Sequence, residues 1–328
     1  MASVMRAVVY ERYGPPEVLE LREVARPVPG RGEVLVKVRA TTVSSGDHRA
    51  RSLDVPRGFG PLARLVFGFS RPRQPVLGTE LAGDVVEVGR DVRSFAVGDP
   101  VVVFADVGMG CHAEYRCMRE DGAIVAKPPN LSYEQAAALS FGGTTALHFL
   151  RKANLRRGER VLVNGASGSV GTACVQLARH LGAEVTGVCS TANLELVRSL
   201  GAAHVIDHTR EDFTRAGRVW DVIVDTVGTA PFSRSKAALA EGGRLLLVFA
   251  SLASMLGAPF RSMSGKRKVV AGVALGKRED LLFLSQLASA GELTPVVDRC
   301  YPLEEIVEAH RYVDGGRKRG NVVVRVGA

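Results

Sequence analysis

Residues 160–193 constrain the fold more than any other part of the chain. They read RVLVNGASGSVGTACVQLARHLGAEVTGVCSTAN. Val161-Leu162-Val163 is a short apolar run between polar flanks, the pattern of a strand buried on both faces of a parallel sheet. The glycine turn Gly165-Ala166-Ser167-Gly168-Ser169-Val170-Gly171 follows at once, and helical spacing begins inside it. Val170, Cys174, Leu177, Ala178 and Leu181 share one face. Gly182 closes that helix, where a left-handed cap favours a residue without Cβ. Val185 to Cys189 reads as the next strand. This is half of a dinucleotide-binding unit, in which free N–H groups and the helix dipole draw a phosphate to the helix N-terminus.

A glycine-rich loop alone is also compatible with a plain turn. Here the strand before it and the helix after it supply the context that the dinucleotide fingerprint requires, with Ala166, Gly168 and Gly171 at its three positions. An acidic residue at the end of the second strand would mark NAD. This chain has Cys189-Ser190-Thr191-Ala192-Asn193, with no carboxylate to repel a 2′-phosphate and with Ser190, Thr191 and Asn193 able to hydrogen-bond one. The expected cofactor is NADPH.

The chain has 328 residues, enough for two domains, and 46% of them are hydrophobic, which allows a sizeable core and argues against disorder. No apolar run reaches the length of a membrane span, and MASVMRAVVYERYG enters a strand without a signal-peptide profile. The five cysteines have no C-x-x-C spacing, which suits a reducing cytoplasm and no structural zinc. Net charge is +9, but the Arg and Lys are scattered rather than gathered into a nucleic-acid stripe. They read as a solvated surface that also attracts a polyanionic cofactor.

Residues 1–128 are rich in short strands and turns: Ala7–Tyr10, Val18–Leu21, Val34–Ala40, Leu77–Val88 and Val101–Phe104, a pattern that suggests a partly closed β-barrel. Val55 to Pro75 breaks it with apolar residues set among arginines. It reads either as a short helix or flap beside the pocket, or as a surface insertion covering core. From residue 129 to 278 strands and helices alternate, as in a doubly wound parallel sheet. Ser132-Tyr133-Glu134-Gln135 has capping-box form, and helices are expected at Thr144–Arg151, Leu194–Leu200 and Phe232–Leu239. Strands are expected at His204–Ile206, Val222–Asp225, Leu245–Phe249 and Val269–Leu275. Residues 279–328 return to the first lobe.

A β-rich lobe, a central Rossmann domain and a C-terminal return resemble the medium-chain dehydrogenase/reductase superfamily. MRAVVYERYGPPEVLEL, PVLGTELAGDVVEVG, FAVGDPVV, AEY, LSYEQAAAL, NGASGSVG and EAHRYVDGGRKRGNVVV look like its zinc-independent quinone oxidoreductase branch. The resemblance implies a GroES-like catalytic lobe (1–128 completed by 279–328) and a Rossmann domain (129–278). In zinc-dependent members the metal ligands fall at positions that here hold Ser44, Thr79 and, nearby, Phe141. Without a metal to polarise an alcohol or carbonyl, a conjugated acceptor is favoured. Hydride adds to a quinone or enone carbon, and charge spreads to an oxygen that needs only aligned donors and a dry site.

The resemblance also assigns residues. Gly165 and Ala166 shape the phosphate turn, and Ser167, Gly168, Ser169 and Val170 cradle the pyrophosphate, with Gly171 behind. Ser190, Thr191 and Asn193 meet the phosphorylated ribose, and His208 flanks it where relatives often have Tyr. Thr145 and Phe249-Ala250-Ser251 flank the nicotinamide, and Lys318, Arg319 and Asn321 approach from the C-terminal return. Ser44-Ser45 stand where the branch has Asn-Pro, and His112 where it often has an aromatic residue. Ser44, Ser45 and His112 are therefore the candidate catalytic groups. Ala192 leaves the ribose loop without a cation, so the preference for NADPH should be modest. An alcohol dehydrogenase or carbonyl reductase and a structural or RNA-binding protein are the rival readings. Homodimerisation is expected, with Val269–Leu275 as an apolar edge that invites pairing.

Overall fold

Short apolar runs become strands, and among the described residues they build three sheets. The computed structural model describes residues 3–215, 217–263 and 267–327. Met1–Val55, Gly60–Phe141 and Gly276–Ala328 form one unit; Pro56–Phe59 and Gly142–Leu275 form the other.

In the first unit β1 (Val4–Val9) pairs antiparallel with β2 (Glu20–Ala25). The long β3 (Glu33–Val43) is the axis of a second sheet. It pairs with β4 (Glu80–Val88), which carries β5 (Pro100–Phe104) on its other edge. β6 (Tyr115–Arg119) also pairs with β3, and β7 (Ile124–Ala126) pairs with β5. Val34, Val36 and Val38 alternate into the core with Leu81, Val85, Val101 and Val103. α1 (Ser45–Ser52) leaves β3 directly, and α2 (Gly60–Phe67) lies in the 55–75 segment. Only Ala63 of α2 is buried, with Phe67 half-buried, so α2 covers little core. α3 (Tyr133–Ala137) begins at a capping box in which Ser132 and Gln135 satisfy each other's backbone N–H. It packs on β3 and β4, so the first unit extends to Phe141 rather than ending at the expected 128. That boundary falls inside α4 (Ser140–Lys152).

The second unit holds six parallel strands: β8 (Arg160–Asn164), β9 (Glu184–Cys189), β10 (His204–Asp207), β11 (Trp220–Asp225), β12 (Leu239–Leu247) and β13 (Lys268–Ala271). Their spatial order is β10-β9-β8-β11-β12-β13. The order reverses between β8 and β11, the topological switch point where open α/β sheets bind ligands. α5 (Ser169–His180) connects β8 to β9. Leu162, Ile223 and Leu245 are fully buried at the centre, with Trp220 closing one side through a 3.2 Å hydrogen bond from Nε1 to Thr186. The helix expected to reach Leu239 stops at Ser235 with one further 3-10 turn, because Leu239 enters the sheet opposite Trp220. The edge strand expected over 269–275 ends at Ala271, and Val273 and Leu275 are exposed. The C-terminal return adds β14 (Val297–Pro302) and β15 (Asn321–Arg325), and β15 pairs with β3. No helix among the described residues is long and apolar enough to cross a membrane.

Candidate active site

The fingerprint turn is shaped for an anion. Gly165 has φ +81, a conformation that favours glycine, and a Cβ there would strike Thr226 Oγ1 at 2.5 Å. Gly171 lets α5 approach the turn closely: its Cβ would lie 2.0 Å from the Gly165 carbonyl oxygen. Gly168 is the N-cap of α5 and carries no side chain to cap it. A Cβ on Gly168 would meet only the Gly165 carbonyl, at 3.6 Å. The first-turn N–H groups of α5 thus lack a side-chain cap on the side that a methyl group would fill. A cofactor pyrophosphate fits this cradle. Ser167, Ser169 and Val170 line the same turn.

The loop after β9 joins the cradle. Asn193 Nδ2 donates to Ser167 Oγ and to Ser190 Oγ, each at 3.2 Å. Its Oδ1 is buried without a partner among the described residues. His208 is exposed at the end of β10, and its N–H donates to the Cys189 carbonyl at 3.0 Å. Sequence reasoning missed Asp207, which pairs in register with Cys189. Its carboxylate accepts hydrogen bonds from the Thr191 and Thr209 hydroxyls at 2.5 and 2.7 Å. Those bonds hold its pKa down to about 2. A carboxylate therefore does stand beside this loop, supplied by the neighbouring strand.

Two other polar residues end apolar strands at the switch point. Asn164 Nδ2 donates to Asp225 Oδ1 at 3.0 Å and to Thr229 Oγ1 at 2.9 Å. Asp225 also accepts from the N–H groups of Val227, Gly228 and Ala230. A polar residue closing an otherwise apolar run was the available signal for both. Phe249 covers the same turn, since a Cβ on Gly228 would strike its ring at 2.5 Å. Ala250 is buried, and Ser251 Oγ caps the helix Leu252–Met263 by accepting from Ser254 N at 3.2 Å. Thr145 is half-buried on α4.

In the first unit the candidate hydroxyls separate into different roles. Ser44 is the N-cap of α1: its Oγ accepts from Gly46 and Asp47 N–H and donates to Asp47 Oδ2 at 2.6 Å. Its single proton goes to Asp47, so Ser44 acts as the cap of α1. Asp47, fully buried, also accepts from Ser44 N and Gly78 N at 2.8 and 2.9 Å. Ser45 is half-buried at the first position of α1. His112 is fully buried; its Nε2 lies 2.9 Å from the Thr42 carbonyl and its ring meets His310 edge-on at 5.7 Å. That places His112 in the core of the first unit, where its neighbour Ala113 bridges to Ala7.

Glu80 is likewise fully buried, accepting from Thr42 Oγ1 at 2.5 Å and Phe141 N at 2.6 Å; burial pushes its pKa up to about 7. Lys318 donates to the Gly320 carbonyl at 2.6 Å, and desolvation lowers its ammonium to about 8. Arg319 is held by Asp298, and the Asn321 carboxamide by the Val296 carbonyl at 3.1 Å. A zinc site does not fit the three positions the family would use. The Ser44 hydroxyl is bound to Asp47, Thr79 offers a hydroxyl, and Phe141 offers no donor. Among the described residues no group of three or more His, Cys, Asp or Glu is placed to hold a metal.

Residues 30–130 match the family model described as the alcohol dehydrogenase GroES-like domain, and residues 200–324 match that of zinc-binding dehydrogenases. Over 98% of its length the chain is 31% identical to the chloroplastic quinone-oxidoreductase QR1 of Triphysaria versicolor, covering 98% of that protein. The chain belongs to the medium-chain dehydrogenase/reductase superfamily, in its quinone oxidoreductase branch. Within the superfamily it is also 30% identical to the chloroplastic NADPH-dependent alkenal/one oxidoreductase of Arabidopsis thaliana, over 98% of this chain and 79% of that one. The solved quinone oxidoreductase of Coxiella burnetii aligns with a TM-score of 0.86 at 29% identity, covering 99% of this chain and all of that one. Superfamily membership brings a nicotinamide cofactor, which the cradle of α5 fits.

Proposed function

We propose that this protein is a zinc-independent, NADPH-dependent oxidoreductase that reduces quinones or α,β-unsaturated carbonyls. The observation that carries this reading is the pairing of an intact phosphate cradle with a donor set unsuited to zinc. The names of the relatives point to the same chemistry. The nicotinamide supplies the hydride. Ser167, Ser190 and Asn193 orient the adenosine side, and the uncapped N–H groups of α5 hold the pyrophosphate. With Ser44 committed to Asp47, the Ser45 hydroxyl is the candidate donor to the acceptor oxygen that gains charge.

An alcohol dehydrogenase would need a group that polarises its substrate, and the residues at the family's metal positions offer no zinc ligand set. A nucleic-acid role lacks a basic, aromatic stripe. The free cysteines suit a reducing compartment, and the cytoplasm is proposed on that ground. A homodimer is proposed through β13, the edge strand of the parallel sheet. The test is NADPH oxidation against a panel of quinones, enones, aldehydes and secondary alcohols, with zinc measured by elemental analysis. Turnover of quinones or enones that survives chelation is expected. Activity confined to aldehydes or alcohols, or one tightly held zinc per chain, would overturn the reading.

A further inference from the structure

α2 carries an outward apolar stripe that the fold does not use. Leu62, Leu65 and Val66 follow the i, i+3, i+4 spacing of one face of α2, and Phe69 follows just after the helix ends at Phe67; they are 49%, 53%, 45% and 63% exposed. The helix is anchored by other residues: Ala63 is buried and Phe67 half-buried. Four large apolar side chains presented together differ from the scattered exposed ones that any surface carries.

The segment that carries the stripe has charge of one sign. No Asp or Glu occurs between Asp54 and Glu80, whereas Arg57, Arg64, Arg71 and Arg73 do, and all four are exposed. None of the four pairs with a carboxylate among the described residues; Arg64 instead donates to the Phe69 carbonyl at 2.6 Å, closing the end of α2. A second copy docked face to face would set these arginines against each other. A two-turn helix also falls far short of the roughly 1,000 Å² that a stable protein interface needs. A surface that is both apolar and negatively charged suits the stripe and its arginines together.

We infer that α2 and the arginines beside it dock this protein reversibly on an anionic phospholipid surface. The apolar stripe enters the boundary between headgroups and acyl chains, and the guanidinium groups meet the lipid phosphates. The contact is peripheral, since it rests on a few apolar side chains and a local cationic field. It requires nothing of the redox chemistry.

Full-length protein is sedimented with phosphatidylcholine vesicles and with vesicles containing phosphatidylglycerol, at low and high salt. Partition onto the anionic vesicles is expected, weakening with salt, and partition onto the neutral vesicles should be at least about tenfold weaker. Leu65→Glu with Phe69→Glu, both at exposed positions, should abolish it while leaving Tm unchanged. Arg71→Ser with Arg73→Ser should weaken it by about fivefold for each arginine. Absence of binding to either vesicle overturns the inference. So does binding to anionic vesicles that the Leu65 and Phe69 substitutions leave intact, which would reflect net charge alone. Self-association of the free protein that the same substitutions abolish would assign the stripe to a second copy.

Discussion

The hydroxyl of Thr191 donates to the carboxylate of Asp207 at 2.5 Å, tying the loop after β9 to the end of β10. The pairing places an ionised carboxylate where the local sequence of β9 ends in Cys189, and it consumes a proton that a 2′-phosphate would have accepted. NADPH should therefore be favoured only modestly. Asp207→Asn should raise the ratio of NADPH to NADH affinity by roughly three- to tenfold, the scale of one partly screened charge. Cys189→Asp should move it the other way. Fluorescence titration of both cofactors decides, and an unchanged ratio in Asp207→Asn would place the 2′-phosphate away from β10.

Ser44 and Asp47 form a closed cap, so their substitutions should read out in stability. Ser44→Ala should cost about 1 kcal/mol, or a Tm lower by roughly 2–4 °C in a domain of this size. Turnover per folded molecule should change little. Asp47→Ala leaves three donors without their acceptor and should cost on the order of 3 kcal/mol. Ser45→Ala should instead lower kcat with the affinity for NADPH intact, because no cap depends on it. A fall in turnover for Ser44→Ala as large as for Ser45→Ala would return Ser44 to the catalytic group.

Glu80 and His310 should leave opposite signatures in the pH dependence of stability. The folded pKa of Glu80 is raised to about 7, so its contribution is full below the ordinary carboxylate range and is lost as pH rises through 7. Glu80→Gln should gain Tm relative to the native protein between about pH 5 and about pH 8. Burial holds the His310 imidazole well below its ordinary value, and neither ring nitrogen has a partner among the described residues. Its contribution is present above about 6.5 and is lost as pH falls, because the unfolded chain takes up the proton first. His310→Phe should gain relative to the native protein on acidification. Calorimetry across pH separates the two, and a pH-independent difference for either variant would refute its assignment.

Much of the nucleotide-binding unit was legible because its strands are uninterrupted apolar runs. Val161–Val163 and Val222–Val224 are buried on both faces, and α5 has one apolar face. α1 was not legible: the residues it buries are Asp47, Ala50 and Arg51, which leave no apolar period to read. Arg51 Nη2 pairs with Asp314, 263 residues away, a partner that only the fold brings near. Asp207 escaped for a related reason. The fingerprint looks along one strand for its acid, whereas the sheet register supplies this one from the next. The burial of His112 was not legible either, because its position in the family motif carries no information about burial.

Two of the three glycines of the phosphate turn, Gly171 and Gly168, separate folding from cofactor binding. Gly171 sits where a Cβ would lie 2.0 Å from the Gly165 carbonyl and 2.8 Å from Ala166 Cα, both backbone atoms that cannot yield without moving the turn. Gly171→Ala should therefore lower Tm and weaken the cofactor together. Gly168 has ordinary extended backbone, with φ −81, and an added Cβ would meet only the Gly165 carbonyl at 3.6 Å, an ordinary van der Waals distance. The turn itself can accept alanine there. What a methyl group would occupy is the space beside the first-turn N–H groups of α5, where the pyrophosphate is proposed to lie. Gly168→Ala should keep the native Tm in the free protein and raise the Kd for NADPH by roughly tenfold or more, the cost of one or two charge-assisted hydrogen bonds. The stabilisation that saturating NADPH gives should shrink in step, since it follows the ratio of ligand concentration to Kd. Native Tm together with native affinity in Gly168→Ala would show that the cofactor phosphates do not rest on this turn.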